Sequence, residues 1–202
     1  KVMRFHRKHN ANITLVYKKQ ETDCTGDGYI LKTKANGLVT EMKKANGVKK
    51  DENLFLGVVL MDSGLFLQMI RRANIGGKWK FFNDVLADNT ENLRIFGYSF
   101  ERYAKRINSL NSYYQGSMDM LKLENWRDIF HQDQRIYTKI KDEAPAKYME
   151  EAHVTNSLVA NGCIIEGTVE NSILFRKVRV GRNAVIRNSI VMQNTNVGED
   201  AC

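Results

Sequence analysis

Asn156-Ser157-Leu158, Asn171-Ser172-Ile173 and Asn188-Ser189-Ile190 punctuate the last quarter of the chain, Val154 to Cys202, at intervals of 15 and 17 residues. Between these triplets aliphatic residues recur at steps close to six, as in Val180, Ile186 and Met192, with Val197 one short of the next step. Gly162, Gly167, Gly181, Ala184 and Gly198 are interspersed. An α-helix needs apolar residues every three or four positions and a half-buried strand needs alternation, so this pattern is neither. Steps of six, three to a coil, are the signature of a parallel β-helix of the hexapeptide kind. Each face of the triangular coil then contributes one inward aliphatic residue and one small one. A coil of about eighteen residues, less an occasional deletion, accounts for the intervals. The plainer alternative is a few ordinary strands joined by Gly/Asn turns. Solenoid coils bury their faces only against neighbouring coils, so about three are the working minimum. The chain has about that many and stops in mid-repeat at Cys202, so either the polypeptide is expected to continue or a second chain to cover the end.

Working outward, a length of 202 residues allows one large domain or a domain with a smaller module, and a hydrophobic fraction of 43% is enough for a real core. No apolar run approaches a membrane span and Lys1 begins no secretory signal, so no membrane partner is expected. Val2 to Ala11 reads as the tail of a helix without an initiator methionine, which suggests a missing N-terminal portion. Cys24, Cys163 and Cys202 are odd in number, far apart and without CxxC spacing, which argues against a disulfide framework or zinc site and for a reducing, cytoplasmic setting. The net charge of +8 comes from scattered pairs such as Lys18-Lys19, Lys43-Lys44 and Lys49-Lys50 rather than from a basic block. A solvated basic face with small anionic ligands fits this better than nucleic acid.

Along the chain, Met3 to His9 reads as a basic helical end and Ile13 to Tyr17 as a buried strand. Glu21 to Gly28 reads as a polar loop with Gly26 and Gly28 as turn formers. Tyr29 to Thr33, Asn36-Gly37 and Leu38 to Met42 form a strong hairpin signal, since Asn-Gly tolerates the positive φ of a tight turn. Ala45 to Asn53 reads as a lysine-rich loop, and the uncharged Leu54 to Met61 as a central strand buried on both faces. Asp62-Ser63 cap a helix whose Leu65, Phe66, Met69 and Ile70 form an apolar stripe, ended by Asn74 and Gly76-Gly77. Trp79 to Leu86 reads as a short helix with Phe82, Val85 and Leu86 on one side, Leu93 to Phe100 as a strand, and Ile107 to Leu121 as a helix with Ile107, Leu110, Tyr114, Met118 and Leu121 on one face. Glu124 to Tyr148, with the sole proline Pro145, connects to the coils. The layout is α/β followed by a β-helix.

An α/β domain running into hexapeptide coils resembles a sugar-nucleotide nucleotidyltransferase, and most closely the ADP-glucose pyrophosphorylase (glucose-1-phosphate adenylyltransferase) family. The resemblance runs from about Val2 to the last residue. It is carried by Asn36-Gly37-Leu38-Val39 with Glu41, by Gly57, by Asn83-Asp84-Val85, by Tyr103 with Lys105, by Met118-Asp119-Met120-Leu121 and by Pro145-Ala146-Lys147-Tyr148. Its strongest part is Asn156-Ser157-Leu158 through Gly162-Cys163-Ile164 to Gly167-Thr168-Val169-Glu170-Asn171-Ser172. The resemblance implies the C-terminal part of a Rossmann-like nucleotidyltransferase domain over 1–135, a linker over 136–153 and a truncated left-handed parallel β-helix over 154–202.

The departures from the family pattern bear most on function. The family joins a sugar phosphate to the α-phosphate of ATP, and mutually repelling anions call for a divalent cation on carboxylates and for cations on the phosphates. Catalytic members carry Phe-Glu-Glu-Lys-Pro, whose glutamate and lysine are taken to hold the sugar and its phosphate; here the stretch reads Met42-Lys43-Lys44-Ala45-Asn46. Lys43 shares a face with Ala45 but sits about 6–7 Å back along the strand. Catalytic members also carry Tyr-Trp-(Lys/Arg)-Asp-Val-Gly-Thr, whose aspartate helps to ligate Mg²⁺; here the stretch reads Tyr103-Ala104-Lys105-Arg106-Ile107-Asn108-Ser109. A guanidinium has no acceptor and keeps its charge, so Arg106 would repel the metal. A third acidic position has become Lys80.

The resemblance therefore implies a non-catalytic or weakly catalytic regulatory subunit, of the GlgD type, in bacterial glycogen synthesis. No catalytic or metal-ligating residue is assigned and no cofactor is expected, Mg²⁺ belonging to the catalytic members. Lys43, Lys44, Asp84, Lys105 and Arg106 are the candidates for a former sugar-phosphate pocket or anion site, against the plainer reading of surface charge. The expected partners are a catalytic homologous subunit in a hetero-oligomer, or copies of the chain itself, with a phosphorylated sugar as effector. The rival expectations are an active nucleotidyltransferase and, more remotely, a hexapeptide-repeat acyltransferase with His153 as its only candidate base.

Overall fold

The computed structural model describes residues 1–78, 81–86, 93–130, 136–137, 139 and 141–202, with residues 83–85 described by their backbone alone. The chain forms two compact units, Lys1–Asn108 and Ser109–Cys202.

The first unit opens with helix α1 (Val2–Lys8) and builds a mixed sheet from β1 (Ile13–Lys19), β2 (Cys24–Thr33), β3 (Val39–Val48), β4 (Asn53–Met61) and β5 (Ile95–Ser99). The strand order is β3-β2-β4-β1-β5, with β1 and β5 parallel and the other neighbours antiparallel. The run Ile13-Thr14-Leu15-Val16 is buried throughout, as a strand with neighbours on both sides should be. Helix α2 (Ser63–Ile75) follows β4, and Asp62 Oδ1 caps it by accepting the N–H groups of Gly64 and Leu65. Met69 enters the core with Leu31, Met42, Phe55 and Ile95, and the π-helical turn Phe81–Leu86 adds Leu86. The Phe82 ring meets Phe55 at 5.4 Å and Tyr29 at 5.8 Å. Trp79 and the Val85 side chain lie outside the described residues.

Several local expectations give way to pairing. The polar stretch expected to loop from Glu21 to Gly28 is already strand from Cys24, because Gly26, at φ 97°, absorbs a bulge and lets pairing resume at Asp27. The lysine-rich stretch is strand to Val48, since Ala45 and Asn46 pair with Gly28 and Asp27. Strand β4 is buried at Leu54 and Phe55 only; Gly57, at φ 81°, breaks its register and Val58 is 52% exposed. The stripe on α2 is exposed at Phe66 and Ile70, while Met69 alone is fully inside. The next helix, α3, spans Leu110–Met118 rather than starting at Ile107. Ser109 caps it through a reciprocal bond set with Ser112, so Ile107 and Leu110 fall at its solvent-exposed entry.

The second unit contains α3, a 3₁₀ turn over Asp119–Leu121, α4 (Leu123–Ile129) and the solenoid. Its short strands are β6 (Lys147–Tyr148), β7 (His153–Thr155), β8 (Leu158–Val159), β9 (Ile164–Ile165), β10 (Thr168–Glu170), β11 (Ile173–Leu174), β12 (Arg179–Val180), β13 (Val185–Arg187), β14 (Ile190–Val191) and β15 (Asn196–Val197). They stack in three parallel sheets, β7-β10-β13, β8-β11-β14 and β6-β9-β12-β15. Strand β6 and the start of β7 lie within the stretch 136–153 that the sequence presents as a linker, because their backbones already pair with the coil above. The chain thus forms a parallel β-helix of about three turns, preceded in sequence by a helix-and-strand unit.

Register identifies three inward columns, Val154-Val169-Ile186, Val159-Leu174-Val191 and Ile165-Val180-Val197. The inward step is therefore five across each Asn-Ser corner rather than a uniform six. Val191, not Met192, takes the inner place, and Met192 is 52% exposed. The Asn-Ser corner itself has a clear physical basis. Asn156, Asn171 and Asn188 all hold positive φ, at 42°, 47° and 47°, which asparagine tolerates better than most residues. Asn156 Nδ2 donates to Asn171 Oδ1 (2.9 Å) and Asn171 Nδ2 to Asn188 Oδ1 (2.5 Å). Each serine hydroxyl donates to the carbonyl two residues back, and Ser157 and Ser172 accept the serine N–H of the next coil at 3.1 Å. The 15-residue interval arises where Ile165 to Val169 takes only four steps. There Gly167 lies so close to the next coil that a Cβ would stand 2.3 Å from the Ala184 carbonyl oxygen.

Candidate functional site

The hairpin of β2 and β3 carries most of the sequence-predicted candidates, and its register decides which of them meet. Partners mirror one another about Asn36-Gly37, where Gly37 holds φ at 85° and Asn36 Oδ1 accepts the Leu38 N–H. Lys32 faces Glu41, Ile30 faces Lys43, Tyr29 faces Lys44 and Gly28 faces Ala45. Because side chains alternate between faces, Lys43 and Lys44 separate.

On one face Lys44 Nζ pairs with Asp27 Oδ2 at 2.7 Å. The guanidinium of Arg106 lies over Gly28 on the other face, the one that Gly28 shares with its partner Ala45, with Nη1 3.8 Å from where a Cβ would stand, and Asn108 Nδ2 donates to the Asp27 carbonyl. The hydrogen bond and charge of Lys44 hold the Asp27 carboxyl below its ordinary range against a small opposing effect of burial, and the Arg106 charge adds to the depression. Asp27 in turn raises Lys44. Of the five candidates, Lys44 thus pairs with a carboxylate that sequence reasoning passed over as part of a loop, and Arg106 acts on that carboxylate through its charge.

On the other face Lys43 borders a cavity of about 400 Å³ with Ile30, Lys32, Glu41, Lys49 and Glu52, and Ala45 and Gly47 complete its wall. Lys43 and Ala45 do share a face, as the period of two requires. Lys32 Nζ pairs with Glu41 Oε2 at 2.6 Å, raising the lysine and lowering the glutamate, and Lys43 lowers Glu41 further. Glu52 Oε2 accepts the Lys49 N–H at 2.7 Å. Lys32, Lys49 and Glu52 were not anticipated. Mirroring the hairpin about Asn36-Gly37 gives the Lys32–Glu41 pair from sequence, but the other two depend on β3 continuing to Val48.

Lys105 and His153 are exposed, His153 on β7. Lys80 and the Asp84 side chain lie outside the described residues. Among the described residues no three His, Cys, Asp or Glu side chains stand close enough to share a metal ion. The Asp27 carboxylate, which the Arg106 charge also lowers, is already paired with the Lys44 ammonium, and a divalent cation there would meet both positive charges. The described residues do not fit Mg²⁺. Among them, too, no helix is long and apolar enough to cross a membrane.

Residues 144–202 match the family model described as GlmU-like, C-terminal hexapeptide. The chain is 30% identical over 194 residues to a glucose-1-phosphate adenylyltransferase of Clostridium botulinum (strain Eklund 17B / Type B), covering 94% of this chain and 50% of the relative. It is 41% identical over 132 residues to the glycogen biosynthesis protein GlgD of Bacillus subtilis (strain 168), covering 65% of this chain and 38% of that protein. It is 43% identical over 131 residues to the GlgD of Geobacillus stearothermophilus, with the same two shares. The chain spans half of the clostridial relative's length and less of the two GlgD proteins.

Proposed function

The chain is a homologue of bacterial glucose-1-phosphate adenylyltransferases and GlgD proteins, and on that premise we propose that it serves glycogen synthesis as a non-catalytic or weakly catalytic regulatory subunit. The observation that carries this reading is Arg106. It stands where the family resemblance calls for a metal-holding aspartate, and it lies over a hairpin whose Asp27 carboxylate is already paired with Lys44. The stronger identity to GlgD proteins, 41 and 43% over 131–132 residues against 30% over 194 for the adenylyltransferase, supports the same side. In this role the protein works in the cytoplasm beside a catalytic homologue and changes that subunit's response rather than making ADP-glucose itself.

The test is Mg²⁺-dependent formation of ADP-glucose from ATP and glucose 1-phosphate by the full-length protein, alone and mixed with a catalytic homologue. Negligible turnover alone, with altered kinetics of the mixture, is the expected result. Turnover alone at the rate of the catalytic homologue would overturn the proposal. It would establish instead the second reading, an active adenylyltransferase, which is favoured by the alignment of the clostridial adenylyltransferase over 94% of this chain.

A further inference from the structure

Helix α4 (Leu123–Ile129) and its C-cap Phe130 put apolar side chains on the surface at a spacing that normally seats a helix on a core. Leu123, Trp126 and Phe130, three and four residues apart, share one face and are 57, 41 and 51% exposed. None of the three belongs to either hydrophobic core. The Trp126 and Phe130 rings stand 5.5 Å apart with their planes inclined at 42°. Their support is fixed. The Phe130 N–H donates to the Trp126 carbonyl at 2.9 Å, and Asn125 Nδ2 donates to the Asp119 carbonyl at 3.0 Å.

Area and charge narrow the occupant. At these exposures the two rings offer on the order of 200 Å² between them. Even with Leu123 the patch stays far below the roughly 800 Å² per partner of a stable protein interface. The chain carries a net charge of +8, yet over 119–130 Lys122 and Arg127 stand against Asp119, Glu124 and Asp128. Nothing there draws an anion. An uncharged ligand with apolar ring faces and many hydroxyl groups meets both conditions. Its C–H faces lie against the aromatic rings, and its hydroxyls reach the exposed side chains of Glu124 and Arg127.

We infer that this face binds an α-1,4-linked glucan, with neighbouring glucose units stacked on Trp126 and Phe130. The inclination of the rings selects the linkage. An α-1,4 chain turns from one unit to the next and needs inclined platforms, whereas a β-1,4 chain is flat and needs coplanar ones. The inference goes beyond the regulatory reading and does not depend on it, since a glucan would bind whether or not the chain forms ADP-glucose. Where both hold, the protein is kept at the surface of the polymer whose synthesis it serves.

The experiment is native electrophoresis of the full-length protein with and without glycogen in the gel, joined to titration calorimetry with maltopentaose and cellopentaose. Glycogen is expected to retard the protein, and maltopentaose to bind at least tenfold more tightly than cellopentaose. Trp126→Ala should weaken maltopentaose at least tenfold, while Leu110→Ala, at another exposed leucine, changes it less than twofold. If Trp126→Ala melts early, Phe130→Ala carries the same expectation. No retardation, or equal binding of the two pentasaccharides, would overturn the proposal. So would ring variants that change the oligomeric state and leave maltopentaose binding intact, because they would assign the patch to a protein partner. No nucleotide is present, so such a failure leaves the regulatory reading to the ADP-glucose assay.

Discussion

Lys44 Nζ and Asp27 Oδ2 stand 2.7 Å apart across the β2–β3 hairpin, on the face opposite to Lys43. The pair makes a pH prediction whose sign follows from its two shifts. Asp27 is depressed by Lys44 first and by Arg106 to a smaller degree, so its contribution is present above the unfolded carboxylate value of about 3.9 and is lost as pH falls through the lower folded value. Lys44 is raised, so its contribution is present below about 10.4 and is lost as pH rises through the higher folded value. By carboxyl NMR, Lys44→Met should move the Asp27 titration up toward the ordinary range, and Arg106→Gln should move it less. No movement with Lys44→Met, or the reverse order, would remove the pair from any account of this face.

The buried serine of the solenoid corner gives a stability prediction. Ser172 is fully buried; its hydroxyl donates to the Glu170 carbonyl at 2.7 Å and accepts the Ser189 N–H. In Ser172→Ala the Glu170 carbonyl keeps the Asn188 N–H, while the Ser189 N–H loses its partner. Stranding such a donor costs about 1–3 kcal/mol. For a chain of this size that is a fall in Tm of roughly 2–4 °C per kcal/mol. Ser189→Ala loses only an exposed bond to the Arg187 carbonyl and should cost under about 1 kcal/mol. Calorimetric melts of the two variants check the order, and equal losses would show that the ladder carries no weight.

Close approach between coils separates two glycines that look alike in sequence. A Cβ on Gly167 would lie 2.3 Å from the Ala184 carbonyl oxygen, 2.7 Å from that of Gly181 and 3.0 Å from the Ala184 nitrogen. These are backbone atoms, and the Ala184 carbonyl is already bonded to the Thr168 N–H at 2.8 Å. Nothing lies within 4 Å of the corresponding point on Gly198. Gly167→Ala should therefore cost about 3 kcal/mol, the upper end for overpacking, or more. Gly198→Ala should stay within about 0.5 kcal/mol. Denaturant melts with an unchanged slope would measure both, and a mild Gly167→Ala would mean that the coils separate easily.

The same corner shows what was legible in the sequence. The Asn-Ser triplets marked the solenoid because each residue serves one local need, a left-handed backbone for Asn and a hydrogen bond to the next coil for Ser, and both needs recur once per coil. Which aliphatic residue points inward was less legible, because the five-residue corner shifts the phase and puts Val191 where a constant step puts Met192. In the first unit the hairpin was legible from Asn36-Gly37, but the strands flanking it were read as loops over 21–28 and 45–53. Polar and glycine-rich residues there are held in strand by cross-strand partners, Asp27 with Lys44 and Gly28 with Ala45. Reading 21–28 as a loop also hid the Asp27–Lys44 pair, since only a strand through Asp27 brings that carboxylate beside Lys44. The stripes on α2 and at Ile107-Leu110 failed for another reason. Helical spacing reports that residues share a face, not that anything covers it, and Phe66, Ile70, Ile107 and Leu110 are exposed.

Asn171 allows backbone geometry and side-chain bonding to be weighed against each other at one position. Its φ is 47°, and its amide accepts from Asn156 and donates to Asn188 at the exposed edge of the solenoid. Asn171→Gly keeps the left-handed conformation at no steric cost but removes both amide bonds. Being exposed, those are worth about 0.5 kcal/mol each, at the low end for a hydrogen bond. Asn171→Ala removes the same bonds and adds the penalty of placing a Cβ in the left-handed region, about 1–2 kcal/mol. If positive φ is the main reason for asparagine here, the alanine variant melts well below the glycine variant, and glycine costs about 1 kcal/mol or less. If the ladder is the main reason, the two variants melt together and both fall well below the parent. The first outcome is expected, because water competes for an exposed amide but cannot relieve a backbone clash.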